Sequence, residues 1–354
     1  MNFKINQKLI NNKSETYFIA DIAANHDGDI NKAFELIYQA KKSGADAAKF
    51  QHFAAETIVS DKSFSKMKSK LSHQSKWKKS VFEVYKDASL NLDWTPKLHK
   101  FCKKVGIDFF TSPYSIELVD HVDRFVPAYK IGSGDITWLE IIKYISKKRK
   151  PVILATGAST MQDVKRAVKV IKKYNNQICV MQCNTNYTAE NENFNYINLN
   201  VLKDYKKNFK NIILGLSDHT HGHSTVLGAI TLGAKVIEKH FTLSNKNEGP
   251  DHKFSMTPSS WKEMVERARE LELSLGSNIK KIEFNEKDSI RVQRRSLHLN
   301  IDLPKNTKIQ KKHLISLRPY LEGSFQPYEI KKIIGKKLKK NLQANQIILK
   351  KFLK

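Results

Sequence analysis

Short apolar runs alternate with amphipathic stretches from the start of the chain to about residue 275. Eight of these runs are almost continuously apolar, which is typical of strands buried on both faces. They cover residues 17–23, 46–51, 107–112, 128–133, 151–157, 178–184, 212–219 and 234–241. Helical periodicity fills most of the intervals, for example at 31–43 and 160–174, where apolar residues recur on one face. Eight β/α repeats predict an α/β fold of the TIM (β/α)8 barrel type, and no Gly-x-Gly-x-x-Gly follows the first strand to favour a doubly wound sheet.

Two parts of the chain depart from this repeat. The interval between the second and third strands is too long for one crossover and holds amphipathic stretches at 76–88 and 94–105, which predict an elaborated loop and a helix. Near the end, residues 276–288 are polar, and residues 289–354 hold short apolar runs separated by turn-forming residues. The predicted domains are therefore a barrel at 1–275, a linker at 276–288 and a small, mainly β domain at 289–354.

Composition excludes several classes of protein. The chain has 354 residues, of which 40% are hydrophobic and 27% charged, enough for a large core. No run of about 18 apolar residues predicts a membrane span, and the first residues lack the apolar segment of a secretory signal. The cysteines Cys102, Cys179 and Cys183 make no disulfide framework. A cytoplasmic protein with no membrane partner is expected.

The net charge of +27 raises the alternative of a basic protein that binds nucleic acid or an anionic lipid surface. The densest stretch is 331–354, with nine lysines and no acidic residue. Lysine is abundant along the whole chain, however, and no arginine-rich arm or zinc-finger motif accompanies it. Solvated surface lysines are the favoured interpretation, and no nucleic-acid partner is expected.

Polar side chains stand at the carboxyl end of nearly every predicted strand, which is where TIM barrels place their active sites. In chain order they include Asp21, Lys49, Gln51, Ser112, Tyr114, Lys130, Ser133, Asp135, Thr185, Tyr187, Ser217, Asp218, His219, Glu238 and His240. The packing of a barrel interior needs no charged side chains, so this clustering predicts a ligand-binding site.

His219 and His240 end neighbouring predicted strands, so their imidazoles can converge on one point. Imidazole suits divalent transition metals, and two histidines fit an open site completed by water and substrate. The alternative is a pair of histidines that bond to each other or to the backbone.

Lys49 and Lys130 indicate an anionic ligand, because an inward-facing lysine is costly to bury without a negative partner. Lys49 and Gln51 share one face of their strand, and Ser133 and Ser217 add hydroxyl donors suited to phosphate. Two alternatives remain: a Schiff-base lysine of the aldolase type, and a lysine paired with glutamate for structural reasons.

Eight sequence strings, spread over about residues 17–256, resemble the sialic acid synthase family: the N-acetylneuraminate synthases with their legionaminate and pseudaminate relatives. The strings are ADIAANHDGD, SGADAAKFQ, FFTSPY, AYKIGSGD, PVILATG, GLSDHT, VIEKHFT and GPDHKFSM. The tail strings RRSLHLNIDL, LRPYLEG and IIGKKLKKNLQANQIILKK resemble the antifreeze-like (SAF) domain that ends these synthases.

The resemblance implies an enzyme that condenses phosphoenolpyruvate with an N-acylated amino sugar and releases phosphate by C–O cleavage. A divalent metal, usually Mn²⁺ with Mg²⁺ or Co²⁺ as alternatives, would be held by His219 and His240 and would polarise the sugar aldehyde. Arg318, in LRPY, matches an arginine that one subunit lends to the other, which implies a domain-swapped homodimer.

Other roles also follow from the resemblance alone. Asp21 stands at the position of a carboxylate that shuttles protons. Positions that bind the phosphate and carboxylate of phosphoenolpyruvate are occupied by Lys49, Lys130, Ser133 and Ser217. Positions that line the sugar pocket are occupied by Gln51 and Tyr187, and the further substrate-binding candidates within the matching strings are Ser112, Tyr114, Asp135, Thr185 and Asp251.

Some residues depart from the family pattern. Asp21 and Asp135 replace glutamates, and the sixth-strand turn QCNTNYTAE lacks a histidine and prolines that are frequent there. These positions concern the sugar, so its identity stays open. N-acetylmannosamine is the first expectation, and a 2,4-diacetamido-6-deoxy hexose is the alternative.

Overall fold

The computed structural model describes residues 2–67, 74 and 77–354. The chain divides into two compact units, Met1–Gly276 and Ser277–Lys354. Within the described residues, no helix is both long and apolar enough to cross a membrane.

The first unit begins with an antiparallel hairpin and continues with eight parallel strands. The hairpin consists of β1 (Asn2–Ile5) and β2 (Lys8–Asn11). The parallel strands are β3 (Tyr17–Asp21), β4 (Ala47–His52), β5 (Asp108–Pro113), β6 (Tyr129–Ile131), β7 (Val152–Ala155), β8 (Ile178–Cys183), β9 (Ile213–Asp218) and β10 (Ala234–His240). Their order is β5-β4-β3-β10-β9-β8-β7-β6, and the outer strands β5 and β6 contact each other. The sheet therefore curls round as predicted, and each predicted strand is present with its ends shifted by two residues or fewer.

Helices connect the strands. They are α1 (Ile30–Lys42), α2 (Ala55–Ile58), α3 (Asp61–Lys66), α4 (Val81–Ala88), α5 (Thr95–Val105), α6 (Ile116–Asp123), α7 (Leu139–Lys147), α8 (Met161–Tyr174), α9 (Val201–Asn208), α10 (Ser224–Thr231) and α11 (Pro258–Leu275). A capping box between Thr160 and Asp163 starts α8, whose apolar face is buried. The predicted stretch 76–88 forms a helix only from Val81 onward, and its first residue lies outside the described residues.

Two apolar layers hold the barrel together. The outer layer lies between the strands and the surrounding helices, with Leu36, Ile142 and Trp261 among its members. The inner layer fills the amino end of the barrel, where Phe3 and Ile10 of the hairpin pack with strand residues. The hairpin therefore closes the amino end of the barrel, and the polar residues lie at the carboxyl end.

The second unit has its own small core. A 3₁₀ turn at Phe284–Glu286 leads into α12 (Lys287–Gln293), so the polar stretch 276–288 ends in helical structure. The antiparallel strands β11 (Ser296–Leu299) and β12 (Leu314–Leu317) follow. Around them pack the apolar residues Leu297, Leu299, Leu303, Ile309, Phe325, Ile333, Leu338, Leu342, Ile348 and Leu353.

Candidate active site

Side-chain alternation decides which residues enter the barrel. On β10, Val236 belongs to the apolar layer inside the barrel, whereas Ile237 packs outside against the helices. Glu238 and His240 follow Val236 at intervals of two residues and therefore also face inward. The same alternation places Asp21, the register partner of His240 on the neighbouring strand β3, and Lys49 of β4 inside the carboxyl half.

Four buried charges form a network inside the barrel. The Lys49 Nζ lies 2.6 Å from Asp21 Oδ2 and 3.7 Å from Glu238 Oε2. The Lys130 Nζ lies 3.1 Å from Glu238 Oε1, to which Ser217 Oγ donates a hydrogen bond of 3.0 Å. All four charged residues are at most 4% exposed. Buried ions are tolerated when they are paired, and here two ammonium groups balance two carboxylates.

The network sets the protonation states of its members. Burial raises the pKa of Glu238, but Lys130 and Lys49 outweigh burial and hold that pKa at about 2. Burial lowers the pKa of Lys49, but Asp21 and Glu238 outweigh it and raise that pKa above the ordinary value. Burial raises the pKa of Asp21, although Lys49 opposes the shift. Lys49 is therefore a protonated binder of anions and a poor Schiff-base nucleophile, which argues against the aldolase alternative at this residue.

The sequence places Glu238 near the end of its strand but predicts no role for it. The signal that could have identified it is its spacing, because it lies two residues before His240 and so shares its inward face. Its partners Lys49 and Lys130 come from β4, two strands away from β10, and from β6, which lies across the lumen, so pairing with adjacent strands does not reveal them.

His219 and His240 do come together, with ring centroids 5.4 Å apart. The rings of Tyr187 and Phe254 contact both of them. His219 Nδ1 lies 2.7 Å from the carbonyl oxygen of Asn184, so Nδ1 carries the proton and Nε2 keeps its lone pair. This is the second-shell hydrogen bond that commonly orients a metal-binding histidine.

Both imidazoles are neutral at physiological pH. Burial and the neighbouring His240 lower the pKa of His219 to about 4, and burial and Lys49 lower the pKa of His240 to about 3. Neutral imidazole is the form that binds a metal. Within the described part of the chain, no three His, Cys, Asp or Glu side chains are grouped closely enough to enclose an ion. The pair therefore fits an open site with two protein ligands and no closed structural site.

A second group of small residues lies beside Lys130 and Glu238. The Gly157 amide donates to Ser133 Oγ at 2.9 Å. A Cβ at Gly157 would collide with the side chain of Thr185 and would lie 3.1 Å from Cys183 Sγ. The Cys183 thiol in turn interacts with the hydroxyls of Ser133 and Ser217. These residues form a hydroxyl-rich cradle next to a buried ammonium group, an arrangement suited to phosphate.

A cavity of about 180 Å³ opens next to His240. Its polar wall includes Gln51, Tyr114, Tyr187, His240 and Asp251, and Gln51 Nε2 donates to Asp21 Oδ2 at 3.3 Å. Its apolar wall includes Phe53, Ile58, Trp77, Val84, Tyr85 and Ala88. The apolar wall comes from the long segment after β4, in which the sequence analysis assigned no site residue.

The remaining candidates lie at different distances from the cavity. The Asp251 Oδ2 lies 3.9 Å from His240 Nδ1, and burial next to Asp21 raises the pKa of Asp251 to about 7. Asp135 follows β6, where burial raises its pKa to about 6. Arg318 belongs to the second unit, where it is exposed and its Nε donates to the Gln293 carbonyl at 2.7 Å.

Unsatisfied polar atoms mark the same end of the barrel. Among the described residues, six buried side-chain polar atoms lack a hydrogen-bond partner. Four of them belong to residues at the carboxyl ends of the strands: Asn25 Oδ1, Ser112 Oγ, Glu238 Oε2 and His240 Nδ1. Buried polar atoms are normally paired, so this concentration indicates a place where a polar ligand supplies the partners.

Comparisons with known proteins agree with this geometry. The NeuB family model matches residues 36–280, and the SAF domain model matches residues 294–354. An N,N'-diacetyllegionaminic acid synthase of Legionella pneumophila is 35% identical over 98% of this chain and 98% of its own length. A pseudaminic acid synthase of Campylobacter jejuni is 32% identical over 94% of this chain and 95% of its own length. A solved N-acetylneuraminic acid synthetase of Leptospira borgpetersenii shares the fold, with a TM-score of 0.71 at 23% identity over 82% of this chain and 95% of its own.

Proposed function

The chain belongs to the NeuB family, and we propose that it condenses phosphoenolpyruvate with an N-acylated amino sugar and water to give a nonulosonic acid and phosphate. The observation that carries this proposal is the buried Lys49–Asp21–Glu238–Lys130 network beneath two neutral histidines. Together, the network and the histidines offer two fixed ammonium groups to an anion and two imidazoles to a cation at one end of the barrel.

Phosphoenolpyruvate binds next to the lysines. Lys49 and Lys130 attract its carboxylate and phosphate, and Ser133 and Ser217 donate hydroxyl hydrogen bonds to the phosphate. The Gly157 amide donates to the Ser133 hydroxyl, and the Ser217 hydroxyl shares the Glu238 carboxylate with Lys130. Because the groups are fixed before the anion arrives, they stabilise developing charge without reorganising.

The sugar occupies the cavity above. Gln51, Tyr114, Tyr187 and Asp251 line it and supply hydrogen-bonding groups, and Asp21 lies behind Gln51, which donates to it, and is paired with Lys49. The raised pKa of Asp21 makes it easier to protonate than an ordinary carboxylate, which suits the transfer of a proton to or from the reacting oxygen. Ser112, Asp135 and Thr185 complete the group of residues assigned to substrate binding.

His219 and His240 would hold a divalent ion, with Mn²⁺ expected and Mg²⁺ or Co²⁺ as alternatives. Bound there, the ion supplies Lewis-acid polarisation of the sugar aldehyde. The protein contributes the orientation, since the Asn184 carbonyl fixes the tautomer of His219 and Phe254 packs against His240.

The apolar wall of the cavity bears on the choice of sugar. N-acetylmannosamine, the first expectation, ends in a hydroxymethyl group and carries one acyl group. A 2,4-diacetamido-6-deoxy hexose presents a methyl group and two acyl methyl groups, which Phe53, Ile58 and Val84 would bury favourably. The wall therefore supports the 6-deoxy sugar, the alternative considered above.

The assembly and location are part of the same proposal. The protein acts as a domain-swapped homodimer in which Arg318 of one subunit binds the N-acyl group of the sugar in the other. The exposed guanidinium of Arg318 is compatible with that role. The three buried free cysteines support a reducing cytoplasm as its location.

Phosphate release from phosphoenolpyruvate tests the function. Purified protein with Mn²⁺ is expected to release phosphate only when an N-acyl amino sugar is present, and a chelator should abolish the release. A panel of N-acetylmannosamine, its unacylated parent and 2,4-diacetamido-6-deoxy hexoses identifies the sugar. No release with any sugar would refute the proposal and leave the aldolase and the anion-binding protein as alternatives. A pyruvate or sugar adduct trapped by borohydride without metal would favour the aldolase.

A further inference from the structure

A buried ion pair lies directly behind the two histidines. Asp218 and Lys239 immediately precede His219 and His240, and β9 and β10 are paired so that Asp218 stands opposite Lys239. Since side chains alternate, the ion pair faces the helices while the histidines face the lumen. The Lys239 Nζ lies 2.5 Å from Asp218 Oδ2, and the two side chains are at most 1% exposed.

The pair also fixes the backbone on both sides of His219. The Lys239 Nζ donates to the carbonyl oxygen of Thr220 at 2.5 Å. Asp218 Oδ1 accepts hydrogen bonds from the amide and hydroxyl of Thr220 at 3.1 Å and 3.0 Å. The Thr225 hydroxyl, at the start of α10, donates to Asp218 Oδ2 at 2.6 Å. The residues before and after His219 are thus tied to the residue before His240.

Stability alone does not explain such a pair. A buried ion pair loses hydration on both sides, and a well-packed apolar pair of similar volume is often as stable or more so. Ion pairs and hydrogen bonds are directional, however, and define the geometry of the groups they join. This pair lies next to both histidines, so its directional contacts can define the geometry of the two imidazoles.

We propose that the Asp218–Lys239 pair is a positioning device that sets the distance and orientation of the His219 and His240 imidazoles for binding a divalent cation. The inference rests on the metal site proposed above. Asp218 and Lys239 touch neither the metal nor the substrate, and they act through the backbone of the two strand ends.

The chain offers a matched control on the same strand. Lys235 lies four residues before Lys239 on the same face of β10, and its Nζ donates to the Ser14 carbonyl at 2.7 Å and lies 3.6 Å from a carboxylate of Glu272. Lys235→Met therefore removes the same kinds of contact at the opposite end of the barrel. Lys239→Met leaves Asp218 without its counter-charge, and the double variant Asp218→Asn/Lys239→Met leaves no unpaired charge.

Two readouts test the proposal in full-length protein. The first is Mn²⁺ affinity by electron paramagnetic resonance. The double variant is expected to bind at least about tenfold more weakly than wild type, which is the usual effect of losing an outer-shell partner, while Lys235→Met binds normally. The second is the tautomer of His219 in metal-free, ¹⁵N-histidine-labelled protein, assigned with His219→Gln. The Nδ1–H tautomer should dominate in wild type and be lost or mixed in the double variant.

The outcomes separate this inference from the proposed function. Normal Mn²⁺ binding and an unchanged His219 tautomer in a folded double variant would overturn the positioning role. Equal weakening in Lys235→Met would do the same, because the effect would then be one of general stability. If wild type binds no Mn²⁺, the metal proposal fails, and the tautomer in the metal-free variants still decides whether the pair positions His219.

Discussion

At the scale of single residues, two carboxyl groups near the substrate cavity respond to burial in opposite ways. Glu238 lies between two ammonium groups, and its pKa falls to about 2. Asp135 also lies near Lys130, but burial outweighs that attraction and its pKa rises to about 6. The first carboxylate stabilises the fold and the second destabilises it, so their amide variants should shift stability in opposite directions.

Glu238→Gln is expected to destabilise the protein. A carboxyl group whose pKa is lower in the folded state contributes stability above its unfolded pKa and loses it as the pH falls toward the folded value. The shift corresponds to roughly 3 kcal/mol at pH 7, and the deficit should shrink as the pH falls below about 4.5. Urea unfolding at several pH values measures this. Glu270→Gln, on exposed α11 surface, is the control, and a deficit that stays constant with pH would contradict the assignment.

Asp135→Asn is expected to stabilise the protein at neutral pH. Because its pKa is higher in the folded state, ionisation of Asp135 disfavours folding once the pH passes the unfolded value, and the full penalty is present above about pH 6. The variant should therefore gain up to about 3 kcal/mol at pH 7.5 and nothing near pH 4. Thermal unfolding at both pH values checks the sign, with Asp204→Asn on the exposed surface of α9 as control. A gain at pH 4 would contradict the argument.

Catalytic turnover should fall in the Asp135→Asn variant, because a polar residue that costs stability within a site is usually retained for its function.

At the scale of elements, the barrel could be predicted because its signals are local. Each parallel strand is buried on both faces and reads as one apolar run, and polar residues begin where the strand meets solvent or ligand. The run 128–133 illustrates the limit, since only Tyr129–Ile131 forms β6 and the rest turns into a 3₁₀ segment at Ser133–Asp135. Ser133 and Asp135 of that segment are candidate site residues, so the polar groups of this site lie where the strand has already ended.

The N-terminal hairpin was missed because its signal is weak. Phe3 and Ile5 alternate with polar residues as a half-buried strand should, but the runs are only four residues long. The turn contains Asn6 at φ 50° followed by glutamine, without the glycine that usually marks a tight hairpin. The hairpin gains its stability by packing under the barrel, a contact that no local pattern reveals.

The site was only partly predictable for the same reason. The predicted strand ends identify which polar residues lie at the site. Which of these residues form ion pairs depends on which strands face each other across the lumen. Lys130 was matched to an anion by charge alone, and its partner Glu238 lies more than one hundred residues further along the chain. The apolar wall formed by Phe53, Val84 and their neighbours could not be predicted, because the amphipathic pattern at 76–88 indicates an apolar helix face but does not indicate what that face packs against.

At the scale of the whole molecule, the second unit has its own apolar core, and the barrel contains both histidines and both lysines of the site. The one candidate site residue outside the barrel is Arg318. If the proposed exchange of domains is correct, an active site needs His240 from one chain and Arg318 from the other.

Complementation between two inactive variants tests this exchange. Arg318→Ala and His240→Ala should each lose nearly all phosphate release, the first because the N-acyl group loses its cationic partner and the second because the imidazole pair is broken. Co-expressed in one cell with different tags, the two chains form mixed dimers in which one barrel keeps His240 and receives an intact Arg318 from its neighbour. Since one site in each mixed dimer is complete, equal co-expression should recover about a quarter of wild-type activity, and purification by both tags should enrich it. If each chain used its own Arg318, every mixed site would lack one residue and no activity would return. Full activity in either single variant would instead refute the role of that residue.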